Sequence, residues 1–274
     1  AFGVFTNMLH FGASVGLLLA LGAALAYGLT AVAAPRLSHH TVRLILLAAW
    51  SMHAGTLGLG LAGTPARFGF APALSITAWL VLTVYAVESH VIPQLKARWA
   101  LSGLGAAAVL LAQVFPGAPL NPVASPWLPL HWALGIASYG LFAAAVVHAG
   151  LMTRAEKQIR LAAAPQSGVP LLTLERFTFR FVTAGFVLLS ATLLAGWFFG
   201  EHLYGAAGAR WKWDHKAVFS VLSWMTFGTL LIGRARFGWR GRRAVRFVYA
   251  GAVLLLLAYA GSRFVLEVIL GRSS

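Results

Sequence analysis

Histidines lie inside long apolar stretches of this chain, and an imidazole in hydrocarbon is where its chemistry must start. His53 sits in WSMHAGTL, far from either end of its run, and His131 sits in WLPLHWALGIASYG, near the start of another. A titratable group in lipid costs roughly 2.5 kcal/mol or more, so each needs a bonding partner or a function. For His53 the alternatives are a hydrogen-bonded core residue and a ligand. For His131, flanked by Trp127 and Trp132, they are an interfacial residue in an aromatic belt and a ligand. Neutral imidazole binds iron, copper or zinc well.

Further groups surround these two in sequence. His148 is seventeen residues beyond His131. At 1.5 Å per helical residue that is about 25 Å, too far to share one metal. His10 begins the first apolar run, and His39 and His40 fall in a loop, where they are expected to be solvated. His90 and Glu88 close the third run and are expected to be solvated too. Arg263 and Glu267 are four apart on the last run and so share a helix face as a structural ion pair. Residues 207–224, AGARWKWDHKAVFSVLSW, place Trp211 and Trp213 just before Asp214. Asp214 can cap a helix that starts at His215. The pair of indoles is an interfacial anchor or a shelf for a flat ring, with Arg210, Lys212 and Lys216 able to neutralise carboxylates on it.

The elements that must hold these residues are membrane helices. Of 274 residues, 59% are hydrophobic and 10% charged, against roughly 25% charged in soluble domains. Such a chain cannot cover a water-facing surface, so its solvent is mostly lipid. Eight runs are long enough to span, over 11–33, 42–63, 70–93, 99–116, 127–152, 177–199, 216–233 and 244–269, and the seventh is expected to be the shortest. Between the fifth and sixth, the first half of 153–176 reads as a helical extension that Pro165 and Pro170 break. Small residues within the runs, such as Gly12 and Gly16, permit close helix approach. The expected fold is an all-α integral membrane bundle of about eight helices, forming a single domain over 1–274.

The +15 net charge belongs to the loops. Of 21 Lys and Arg, 15 lie at the ends after helices 1, 3, 5 and 7, notably in 153–180 and in RARFGWRGRRAVR, 234–246. An excess of this size marks those ends as cytoplasmic and both termini as outside. It reads as an orientation signal, with anionic lipid attraction, and no nucleic-acid partner is expected. No secretory signal peptide is apparent at the N-terminus. Cysteine is absent, which excludes disulfides, iron–sulfur clusters and a covalent haem attachment site. Towards the outside the carboxylates are few, namely Glu201, Asp214 and Glu267. A hydrolytic metal site would want more. An apolar pocket with two imidazoles and several indoles suits haem better, because bis-His ligation needs no carboxylate. The candidate ligands of a non-covalent haem b are therefore His53 and His131, with His10 or His215 as substitutes.

The Trp211–Asp214 segment, followed by GWRGRRAVRFVYAGAVLLLLAYAGSRFVLEVIL at 238–270, resembles the cytochrome c assembly protein family, the CcsA/CcmC-type haem-handling membrane proteins. The likeness covers nearly the whole chain and is strongest to the YpjD/HemX-like branch. The resemblance implies that Trp211, Trp213 and Asp214 end the family's outer Trp-rich motif, that His131 is its outer histidine, and that His53 matches a histidine of the second helix. Where the family has Pro after the Asp this chain has His215, and the family's later histidines fall near Ile232, Gly233 and Leu270. These departures imply one retained haem site, or an adapted non-haem role, rather than a complete two-site haem channel.

The resulting expectation is a multi-pass protein of a bacterial inner membrane that binds or handles haem, connected with cytochrome c assembly, and is not an enzyme. Its partners are then the lipid bilayer and proteins of haem biosynthesis or cytochrome c assembly. The alternative is a membrane regulator or scaffold of tetrapyrrole synthesis, or of another complex, without bound haem, working through the basic loops. A small-solute transporter is disfavoured, because intramembrane acids are too sparse for a proton relay.

Overall fold

The computed structural model describes residues 2–33, 36–62, 67–91, 98–119, 127–161, 169–200, 213–261 and 264. Among them the chain forms eight helices: α1 (Phe2–Ala33), α2 (His39–Ala62), α3 (Phe70–Val91), α4 (Arg98–Val114), α5 (Leu128–Arg160), α6 (Leu171–Phe198), α7 (His215–Phe237) and α8 (Gly241–Leu256). A π turn, Leu257–Gly261, continues α8. Seven helices are long and apolar enough to cross a bilayer. The chain is a multi-pass membrane protein.

The expected order of runs holds, with two corrections. The shortest span is α4 and not the seventh, which has 23 residues; α8 itself has 16, but the π turn carries it on to Gly261. With 17 residues, α4 is about 25 Å long, under the ~30 Å of a hydrocarbon core. Helix α6 starts at Leu171, six residues before the apolar run, because Pro170 has φ −58° and ψ 138° and cannot extend a helix backwards. The extension of α5 past its span is present to Arg160. One element was not foreseen: β1 (Arg67–Phe68) pairs antiparallel with β2 (Ala118–Pro119). Gly117, at φ 82°, makes that approach possible, since a Cβ there would meet the Phe68 carbonyl at 2.5 Å.

The helices fall into two compact units. The first holds α1, α2, most of α3, α4 and the β pair. Its core is a stripe of small and polar residues on α1, with Ala20, Ala23, Ala24, Tyr27 and Thr30 buried at helical spacing. The opposite face shows Leu18, Leu25, Leu29 and Val32, all exposed. Small residues inside and Leu outside is how helices pack when lipid is the solvent. The close approaches occur at Gly22, against Met52, and at Gly105, against Leu82 and Tyr27. Gly16, by contrast, has room, its nearest neighbour being Leu59 at 4.0 Å. Helices α2 and α3 are joined by stacked Trp50 and Trp79, 4.9 Å apart. The Trp79 Nε1–H donates to the Trp50 carbonyl and the Trp50 Nε1–H to Thr83 Oγ1.

The second unit holds the end of α3 from Glu88, then α5 to α8. At its centre Phe142 of α5 stacks on Phe227 of α7 at 3.8 Å. Gly185 of α6 and Gly251 of α8 close the two flanks, where an added Cβ would meet those rings at 3.0 and 2.7 Å. Tyr139 Oη donates to the Leu255 carbonyl at 2.9 Å, where α8 loosens into the π turn. Helix α7 ends at Gly238, φ 62°, where the Trp239 N–H reaches back to the Gly233 carbonyl.

Candidate functional site

His53 is carried by α2 in the first unit and is completely buried. Its Nε2 lies 2.8 Å from Ser75 Oγ of α3. Its Nδ1 lies 3.5 Å from Tyr27 Oη of α1, the two rings meeting edge to face. Three helices are thus tied through one imidazole, and both ring nitrogens are engaged. A neutral imidazole has one donor and one acceptor nitrogen, and two hydroxyls satisfy both without introducing a charge. To ligate a metal through Nε2, the ring would have to give up Ser75.

His131 is in a different setting. It lies in the first turn of α5, which Pro129 opens, and its backbone N–H bonds the Trp127 carbonyl at 3.0 Å. Its ring is only part-buried, with Trp132 part-buried beside it and Trp127 exposed. Lys216 is near enough for its charge to act on this ring. Lys216 also sits 5.4 Å from the Tyr259 ring centroid, within reach of a cation–π contact.

The other candidates sort as follows. Asp214 caps α7, its carboxylate accepting from the Ala217 N–H at 2.8 Å. A carboxylate that caps is held in place, and it favours charge complementarity with the helix start. Trp213 before it and His215 after it are both exposed. In the second unit, then, Lys216 at the start of α7 comes near His131. His53 belongs to the first unit. Trp211 falls outside the described residues, as do Arg263 and Glu267, and so does the side chain of His10. Among the described residues no group of three or more His, Cys, Asp or Glu could hold a metal ion. A haem does not need one: a single part-buried imidazole among indoles, with a cation beside it, matches the donor set that a macrocycle with carboxylate side chains requires.

Two charged constellations were missed in the sequence reading. Glu88, expected to be solvated, is buried and lies 3.2 Å from His148 Nε2. His148 Nδ1 bonds the Ala144 carbonyl, and Phe177 and Phe181 flank its ring. Glu175 of α6 is buried and meets Arg234 of α7 and Arg240 just before α8. The signal available was scarcity. The chain has six acids, and an acid next to an apolar run must find a partner.

Comparisons with known proteins place relatives beside this chain. A family model described as Cytochrome C assembly protein matches residues 38–270. The inner membrane protein YpjD of Escherichia coli K12 is 36% identical over 148 residues, 53% of this chain and 54% of that protein. An uncharacterized 28.8 kDa protein of Azospirillum brasilense is 34% identical over 240 residues, 79% of this chain and 86% of that one. The cytochrome c biogenesis protein CcsA of Nostoc punctiforme is 32% identical over 114 residues, 40% of this chain and 31% of that protein. The match to YpjD thus spans about half of its length. No solved structure matches the chain.

Proposed function

Because this chain belongs to the cytochrome c assembly protein family, we propose that it binds and handles haem b non-covalently in a bacterial inner membrane. The arginine-rich helix ends face the cytoplasm and both termini the outside. The observation that carries the reading is the setting of His131: a part-buried imidazole in the first turn of α5, beside Trp132 and near Lys216. His131 is the first ligand. Lys216 is the counter-charge for a carboxylate on the ring, and Trp213, with Trp211, is the stacking surface. Asp214 fixes where that surface begins by capping α7. His53 is the second candidate ligand, at the cost of its bond to Ser75, with His10 and His215 as substitutes. When bound, haem supplies an iron centre that takes imidazole ligands. The protein's own residues bind and orient it and catalyse no bond change. The partners are proteins of haem biosynthesis or cytochrome c assembly.

A second reading rests on a separate observation. Arg236, Arg242, Arg243 and Arg246 are exposed around the α7–α8 connection, as a docking surface for a cytoplasmic regulator of tetrapyrrole synthesis would be. Crosslinking from these residues that recovers lipid alone counts against it.

The first test is spectroscopic. Detergent-purified protein titrated with hemin should give a Soret band that His131→Ala shifts or weakens. If His131→Ala and His53→Ala, both folded, each left the band unchanged, the ligand assignment would be abandoned.

A further inference from the structure

The second unit contains a cleft of about 600 Å³ at the end where α6 begins and α7 ends, well away in sequence from His131. That volume is in the range of ligand pockets, roughly 300–1,000 Å³. Four arginines line it, Arg176, Arg180, Arg234 and Arg240, against one acid, Glu175. The acid is already committed, because it is buried and meets both Arg234 and Arg240. Arg234 is further held over the Phe179 ring at 4.4 Å. These contacts fix two guanidinium groups as one wall of the cleft. Arg176 and Arg180 are four residues apart on α6, so they project from the same face one turn apart. Among the described residues neither has a carboxylate within ion-pair distance. The cleft is thus a preformed surplus of positive charge with forked donors, which suits a phosphate.

What lies beyond the arginines decides the kind of phosphate. The same face of α6 continues through Ala184 and Val187, both exposed, and Leu172 at its start is 68% exposed. In a protein whose exposed apolar faces meet lipid, that stretch is where an acyl chain runs. A soluble anion would have no use for it. We propose that this cleft is a specific site for an anionic phospholipid, with its phosphate between Arg176, Arg180 and the Arg234–Arg240 wall and its acyl chains along Ala184 and Val187. The site is more than general attraction between a basic loop and a membrane, because two of its arginines belong to α6 and all four are arranged around one volume.

Native mass spectrometry on delipidated protein tests it, using phosphatidylglycerol, phosphatidylcholine and glycerol phosphate as separate probes. Phosphatidylglycerol should bind as a discrete adduct, and Arg176→Gln/Arg180→Gln should weaken it roughly ten- to thirtyfold. Arg180→Gln alone should give about a third to a half of that effect on a logarithmic scale. Lys157→Gln/Arg160→Gln removes the same charge from the last turn of α5 and should change binding by less than about twofold. The site is refuted if phosphatidylcholine binds equally well, or if the α6 pair is no more sensitive than the α5 pair. Binding of glycerol phosphate as tight as that of the lipid would refute the lipid assignment.

Discussion

His53 and His131 are the same side chain in the same apolar chain, and the structure treats them differently. His53 is sealed in the first unit, with hydroxyls from α1 and α3 on its two nitrogens. His131 stands in the first turn of α5 in the second unit, part-buried and near a lysine. A buried imidazole with both nitrogens satisfied contributes chiefly to the packing of its neighbours. A part-buried one next to a cation and indoles is placed to meet something from outside the fold. Depth in the membrane therefore does not rank the two as ligands; the burial of each ring and the groups around it do.

The contrast predicts separate effects on stability and on binding. The largest is expected for His53→Ala, which removes a fully buried ring and leaves a cavity and two unsatisfied hydroxyls. Thermal unfolding in detergent should show a loss of about 3 kcal/mol or more, whereas His131→Ala should cost under about 1 kcal/mol. Equal losses would erase the distinction. Next comes Ser75→Ala, which strips Nε2 of its 2.8 Å partner. Leaving a buried polar nitrogen unpaired should cost about 1–3 kcal/mol. If haem instead bound more tightly to Ser75→Ala than to wild type, His53 would be a ligand held in reserve. Tyr27→Phe should be milder, below about 1 kcal/mol, because its contact is long at 3.5 Å. The smallest effect on stability belongs to Lys216→Met, an exposed position. Unfolding should barely move, while hemin affinity falls severalfold, by about 1 kcal/mol, through loss of a carboxylate counter-charge. Unchanged affinity would remove Lys216 from the site.

Much of the fold was readable because lipid imposes a one-dimensional rule: apolar length. That rule located the eight helices of the described residues, while the polar α5 extension was read from the stretch that Pro165 and Pro170 break. The rule misplaced the start of α6, which Pro170 sets and whose opening turns carry Glu175, Arg176 and Arg180, and it did not single out α4 as the short span. It could not foresee the β pair either, which depends on Gly117 and Phe68 meeting across 48 intervening positions. The site was readable in part for the same reason. His53 and His131 stand out as polar letters in apolar runs. Their partners do not, because Tyr27 and Ser75 lie 26 and 22 residues from His53 and are brought to it only by packing. Glu88 was mistaken for a solvated residue at a helix end because nothing local to it announces His148, sixty residues on. Asp214, by contrast, was legible as a cap, since capping is a local interaction.

The most direct test of the central claim is chemical rescue at position 131. His131→Gly should bind ferric haem weakly and give a weakened or shifted Soret band, and added imidazole should restore the wild-type spectrum by filling the vacated position. A His131→Gly protein whose spectrum already equals that of wild type, and does not respond to imidazole, would show that the ligand comes from elsewhere in the chain.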